Sequence, residues 1–413
     1  MMRISTSWTY QQSLNTMLNQ EAELSNTQNQ VSTGNAINVA SDNPTGASQI
    51  VGLSHILAEN TEYTNNMGSA NTRLSTETNT LSSVSNLLDS VNDLALGSIN
   101  GSMSSTDMSN MATQLTQMRN QLVQFANTSD ANGMALFAGT STTTTPFVQS
   151  ANGSVSYAGN DQQAFTTIGQ GLQVANADSG SSVFMNIPAG NGSFVASAPA
   201  SNTGTLIVGT NSVTDTNAWG AANAAGPVND TITFGAGGTY AVTDSAGNPV
   251  DDASGNPITG TYQDGGSISF NGVSVTMSGT PAAGDTVNVQ ADTGSNTQDV
   301  FSTLNNMITA LQSGSSSTAF VNTMNRQLES LNQAMSSVNN TQVAVGSRID
   351  TVQDQQSSDA SLSVTYKSAL SDVQNVDMAS AISNLSLQST ALQASQQVFA
   401  KVQGLTLFSY LQS

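Results

Sequence analysis

Val321, Met324, Leu328, Leu331, Met335, Val338, Val345, Ile349 and Val352 follow one another three and four residues apart, and Gln342 fills the one remaining position of the row. An a/d heptad spacing held over four heptads is the pattern of a coiled coil, narrower than the stripe of a globular surface helix. At 1.5 Å per residue the row spans roughly 48 Å. A helix with such a seam cannot bury it alone, so the chain has to provide partners. The N-terminal flank carries matching rows: Met67, Leu74, Leu81, Leu88 and Ala95 at sevens with Val84 and Val91 between, then Met108, Met111, Leu115, Met118, Leu122 and Phe125. Gly97, Gly101 and residues 102–105 separate these two helices, with Thr106 or Asp107 expected to cap the second.

Composition cuts the 413 residues twice. Between 141 and 295 lie 23 of the 34 Gly, 7 of the 8 Pro and none of the Lys or Arg, whereas the flanks hold 13 of the 15 Met. The flanks read as helix and the middle as short strands: Thr205 to Val208, Thr231 to Phe234, Thr239 to Val242, Ser267 to Phe270, Val273 to Met277 and Thr286 to Val289. Asn271-Gly272 between β-branched runs signals a two-residue hairpin, and the two Gly-Asn-Pro tracts ending at Pro249 and Pro257 read as repeated turns. Residues 176 to 203 are too rich in Gly, Ser and Asn to assign. The expected fold class is α+β: a long antiparallel helical coiled-coil bundle formed by the N- and C-terminal flanks, with an inserted β-rich domain. The expected divisions are terminal helices in 1–44 with 376–413, a coiled-coil bundle in 45–140 with 296–375, and the β-rich domain in 141–295.

Charge and residue inventory exclude several functions. With 27 Asp+Glu, 7 Lys+Arg and a net charge of −20, the surface repels nucleic acid and anionic membranes. The absence of Cys removes disulfides, thiol nucleophiles and zinc-thiolate sites, and one His cannot build a multi-His centre. No metal or cofactor is expected. The opening stretch MMRISTSWTYQQSLNTML carries neither the basic nor the apolar region of a cleavable signal, so any export is expected to take another route.

The candidate catalytic groups have plainer readings. Ser54, His55 and Glu59 share one helix and cannot surround a substrate. Asp251, Asp252, Ser254 and Asn256 around Gly255 lack the terminal bidentate Glu of a calcium loop and read as a solvated turn. Met108, Met111 and Met118 are expected in the core rather than in an adaptable groove. An enzyme is not expected.

The chain ends carry weaker seams, Leu14, Met17 or Leu18, Leu24 and Val31 at one end, and Leu385, Leu392, Phe399, Val402 and Leu405 at the other, followed by Leu407, Phe408, Tyr410 and Leu411. Either these ends pair with each other and stop there, or they stay mobile in the monomer and order only against neighbouring subunits.

Four separated stretches carry a family resemblance: MRIST near the start with Gln11 and Gln12 beyond it, SDNPTGAS from Ser41 to Ser48, NTSDANGMALFAG from Asn127 to Gly139, and TALQASQQVFAKVQGLTLFSYL from Thr390 to Leu411. GGSISFNGVSVTMSGTPAAGDTVNV extends it into the middle. The chain resembles the flagellin-related axial proteins of bacterial flagella, within them the hook-filament junction branch. Asn43 can cap the helix that Pro44 opens, and Asn132-Gly133 is expected to end the Met-rich helix so that Leu136 and Phe137 fold back.

The resemblance implies a structural adaptor without chemistry, needed for filament assembly and motility. It implies export unfolded by the flagellar type III pathway, with an export chaperone holding the C-terminal helix. It further implies a ring of about eleven copies, a number taken from the family's lattice. The first hook-associated junction protein would meet one face of that ring and flagellin the other, outside the cell. The alternatives are a flagellin filament subunit, and an adhesin or carbohydrate-binding protein that displays the β-domain.

Overall fold

The structure is a computed structural model and describes residues 6–99, 103–224, 226–294 and 297–404. Helices α1 (Thr6–Thr33), α2 (Pro44–Ile99) and α3 (Ser105–Ala126) come first. Strands β1 (Phe147–Gln149), β2 (Val155–Tyr157), β3 (Ala164–Gly169), β4 (Leu172–Ala177), β5 (Phe194–Ser197) and β6 (Ile207–Val213) precede the short helix α4 (Thr216–Asn223). Then come β7 (Asn229–Phe234), β8 (Thr239–Thr243), β9 (Thr259–Thr261), β10 (Ser267–Phe270), β11 (Val273–Ser278) and β12 (Thr286–Ala291). Helices α5 (Val300–Gln312), α6 (Thr318–Gln374) and α7 (Met378–Gly404) close the chain. The α+β class with helical flanks around a β-rich middle is the one expected. No helix among the described residues is long and apolar enough to cross a membrane.

Two compact units divide the chain, residues 1–65 with 354–413 and residues 66–353. In the second unit, α2 and α6 run antiparallel: Asn92 Nδ2 donates to Asn332 Oδ1 at 3.3 Å, while Glu77, earlier on α2, lies beside Arg348, later on α6. Met67, Leu74, Leu81, Val84, Leu88, Val91 and Ala95 on α2 are buried, as are Met324, Leu328, Leu331, Val338, Val345 and Val352 on α6. Val321, Met335 and Ile349 are half-buried. The Met-rich row of α3 packs instead on α5, a helix the heptad pattern does not single out. Met108, Leu115 and Leu122 are buried there, whereas Met111, Met118 and Phe125 are half-buried.

Two local expectations need correction. Ser104, not Thr106 or Asp107, caps α3: its Oγ accepts from Asp107 N–H and the Asp107 carboxylate accepts from Ser104 N–H, a reciprocal capping box. The helix also ends at Ala126, before Asn132-Gly133. That later turn is closed by Asp130, which accepts from the backbone N–H of Asn132 and Met134, and it folds Leu136 and Phe137 fully inside.

The middle of the chain is built in two pieces. Sheets β10-β11-β6 and β5-β12-β7-β8-β9, antiparallel throughout, share a core that includes Phe194, Ile232, Phe234, Val275, Met277 and Val287. Asn271 and Gly272 both take positive φ, 48° and 77°, in the two-residue turn between β10 and β11. Such a turn matches the strands' twist and tolerates few other residues. The first expected strand lies slightly later, as β6. The second piece comprises the hairpins β1-β2 and β3-β4, fixed by an aromatic knot: Phe147 stands 5.5 Å from Phe184 and 5.3 Å from Phe301, and Phe137 meets Phe184 edge-on at 5.2 Å.

Polar side chains fasten both pieces to the helices. Asn322 on α6 accepts from Val208 N–H at 2.8 Å and donates to Leu206 C=O at 2.9 Å, so its amide treats the edge of β6 as a neighbouring strand would. Asn325 donates to Val208 C=O, and Asn211 donates to Glu329, whose carboxyl burial pushes up to about 7. Arg73 on α2 binds Asp130 at 2.7 Å and the carbonyls of Ala135 and Asn176. Arg348 on α6 grips both oxygens of Asp178. Two-pronged pairs of this kind fix orientation as well as distance.

Leu331 is fully buried at the centre of the α6 row. Leu331→Asp is expected to cost about 4 kcal/mol or more, because it buries an unpaired charge. Thermal unfolding checks this; an unchanged melting temperature contradicts the register.

Candidate assembly interface

In the first unit, α1 and α7 lie antiparallel. Asn35 bridges Asn375, with Ala36 N–H donating to Gln374 C=O and Val376 N–H to Gly34 C=O, and the rings of Tyr10 and Phe399 sit 5.1 Å apart at the far end. Ala381, Leu385, Gln388, Leu392, Ser395 and Phe399 are the partly or fully buried row of α7, four and three apart. Tyr10, Met17, Leu24 and Val31 face them at sevens, with Gln20 and Thr27 between. The pairing level set by the two ends brings Gln20 opposite Gln388, and each amide holds a shielded Oε1 without a hydrogen-bond partner. A polar layer of this kind fixes the register of a coiled coil and weakens it.

The turn into α2 is equally determined. Asp42 accepts from the N–H groups of Asn38 and Val39, and Asn43 Oδ1 from Gly46 N–H at 3.0 Å, so Asn43 caps the helix that Pro44 opens. A Cβ on Gly46 would press on the Ile37 side chain and on the Asn43 amide that caps the helix, so both would have to shift. Asp377 caps α7 through Ala379 N–H and the Ser380 hydroxyl, and the Ser380 bond holds its carboxyl below the usual range.

This unit buries almost nothing. Among its described residues the buried side chains are Thr27, Asp359 and Ala381, and no large apolar side chain is among them. Trp8 is 61% exposed, Val51 70%, Val364 69% and Leu387 66%. Of the end residues expected to serve assembly, Leu14, Leu392 and Phe399 are half-buried and Leu18 is exposed. Val402 lies on α7, whereas Leu405, Leu407, Phe408 and Leu411 fall outside the described residues. His55 is exposed, and Glu59 accepts from the Tyr63 hydroxyl, an interaction that raises Tyr63. Asp252 is occupied by the N–H groups of Ser254 and Asn256 in its own turn. Sequence reasoning missed Arg73, Asp130, Asp178 and Arg348. The available signal was scarcity: in a chain with seven cationic residues, two arginines directly beside seam positions need a specific use.

Paired helices from the two ends of a chain, with a β-rich middle between them, define the flagellin class of axial proteins. Residues 4–142 match the family model of the bacterial flagellin N-terminal helical region. FlgL of Xanthomonas campestris is 32% identical, with 77% of this chain and 99% of that chain covered at a TM-score of 0.68. The flagellar junction protein FlgL of Legionella pneumophila is 28% identical over 78% of this chain and 100% of that chain, at 0.67. Flagellar hook-associated protein 3 of Salmonella typhimurium is 25% identical over 186 residues, 45% of this chain; the match spans only 58% of that protein. The chain belongs to the family of FlgL, the flagellar hook-associated protein 3 family.

Replacing the polar layer by Gln20→Leu with Gln388→Leu is expected to tighten the α1–α7 pair. Amide exchange along both helices then slows about tenfold, the effect of relieving orphaned amides by about 1–2 kcal/mol. Exchange rates equal to the parent's would refute the layer.

Proposed function

We propose that this protein is a structural adaptor subunit of the bacterial flagellum, joining the hook-side junction protein to the flagellin filament. The observation that carries the reading is the first unit, whose helices leave Trp8, Leu18, Val51, Leu387 and Val398 in solvent in a chain of the FlgL family. Exposed apolar side chains in such number are suited to neighbouring subunits. On this reading the subunit is exported to the cell exterior, held beforehand by a chaperone, and closes into a ring of about eleven copies. Residues 1–44 with 376–413 line its inner tube, 45–140 with 296–375 the surrounding layer, and 141–295 the outside. The seam from Val321 to Val352 holds the subunit together, and the end residues make the contacts between subunits. A filament-forming flagellin has less support, because the FlgL proteins of Xanthomonas campestris and Legionella pneumophila are matched at 32% and 28% identity.

Cells lacking the gene test the proposal by electron microscopy, together with an assay for flagellin in the medium. Complete hooks without filaments and soluble flagellin outside are the expected result. Normal filaments would remove the junction role.

A further inference from the structure

Glu77 is a buried carboxylate whose two facing cations, Arg73 and Arg348, are both taken by other partners. It lies on α2 one turn after Arg73, is completely buried, and neither of its oxygens has a hydrogen-bond partner. The charged groups facing it come from three segments. Arg73 shares its helix, Arg348 approaches from α6, and Asp178 follows β4. Both arginines are already committed. Arg73 spends its guanidinium on Asp130, Ala135 C=O and Asn176 C=O, and Arg348 binds both oxygens of Asp178. Gln163 also donates to Asp178, at 2.6 Å. The Asp178 backbone N–H leans toward Glu77 without completing a hydrogen bond. Counted as charges, the cluster is neutral when Glu77 carries its proton and negative when it does not.

We propose that the proton on Glu77 is a structural part of the clamp holding the Asp130 turn and strand β4 to α2 and α6, and that its loss opens this clamp. A buried ionised carboxyl here has two ways out, and both loosen the same place. Water can enter to solvate it, or it can draw Arg348 away from Asp178 and leave that carboxylate buried instead. Burial, followed by repulsion from Asp178, pushes Glu77 from the ordinary 4.5 up to about 8, in agreement with the charge count. A carboxyl raised in the closed state stabilises that state fully below 4.5, progressively less as pH rises, and no longer once pH passes about 8. The hairpin should therefore open more readily toward alkaline pH.

Amide hydrogen exchange of the full chain, corrected for the intrinsic effect of pH, tests this across residues 163–178. In the parent, protection should fall by about tenfold per pH unit toward pH 8 and then level off. In Glu77→Gln, which keeps the shape and removes the titration, protection should be nearly independent of pH. Parallel profiles in the two proteins overturn the proposal. Because the chain has only six glutamates, carboxyl-labelled glutamate followed by carbon NMR gives a second readout that needs no variant to fold. One buried carboxyl should still be protonated at neutral pH besides Glu329, which Glu329→Gln identifies. If every other glutamate is ionised by pH 6, the clamp does not hold a proton.

Discussion

A heptad seam has to be covered, and everything else in this chain follows from what covers it. Between Met67 and Ala95 the apolar row of α2 is buried, and so, from Met324 to Val352, is most of the row of the antiparallel α6. At roughly 25 cal/mol per Å² of apolar surface removed from water, several fully buried Leu and Met side chains on each helix account for the permanence of this unit. In the unit formed by residues 1–65 and 354–413, pairing of α1 with α7 buries Thr27 and Ala381 but no large apolar side chain. The same kind of pattern thus gives a closed core in one unit and an unsatisfied surface in the other.

The near absence of cations shapes what the polar residues do. Helices in most soluble proteins carry surface ion pairs, whereas here only 8% of residues are charged. The two ion pairs of the described residues are largely shielded from solvent: one holds the Asp130 turn to α2, and the other holds Asp178, just after β4, to α6. Asparagine takes over much of the remaining fastening. Asn322 at the edge of β6 and Asn43 at the start of α2 both use a neutral amide where the geometry asks for a backbone-like donor or acceptor.

Much of this fold was legible because periodicity and turn chemistry are local. The α6 row can be read directly from spacing, and Asn271-Gly272 from its demand for positive φ. What stayed hidden depends on residues far apart in the chain. Phe137, Phe147, Phe184 and Phe301 form one knot in which no ring contact joins residues close in sequence. Helix α5 resisted assignment to a seam because it is short and divides its buried face between α3 and the aromatic knot. The open terminal rows were visible as weak seams, but which residues face outward depended on the register that the Tyr10–Phe399 and Asn35–Asn375 contacts impose.

On the proposed function, neighbours in the flagellum cover the face left open on the first unit. Since the chain contains no cysteine, Leu387→Cys places a single thiol at an exposed position of α7. Maleimide labelling of the free subunit is compared with labelling of intact isolated flagella. The account predicts rapid modification of the free subunit and strong protection in the flagellum. Equal labelling in both states would contradict it.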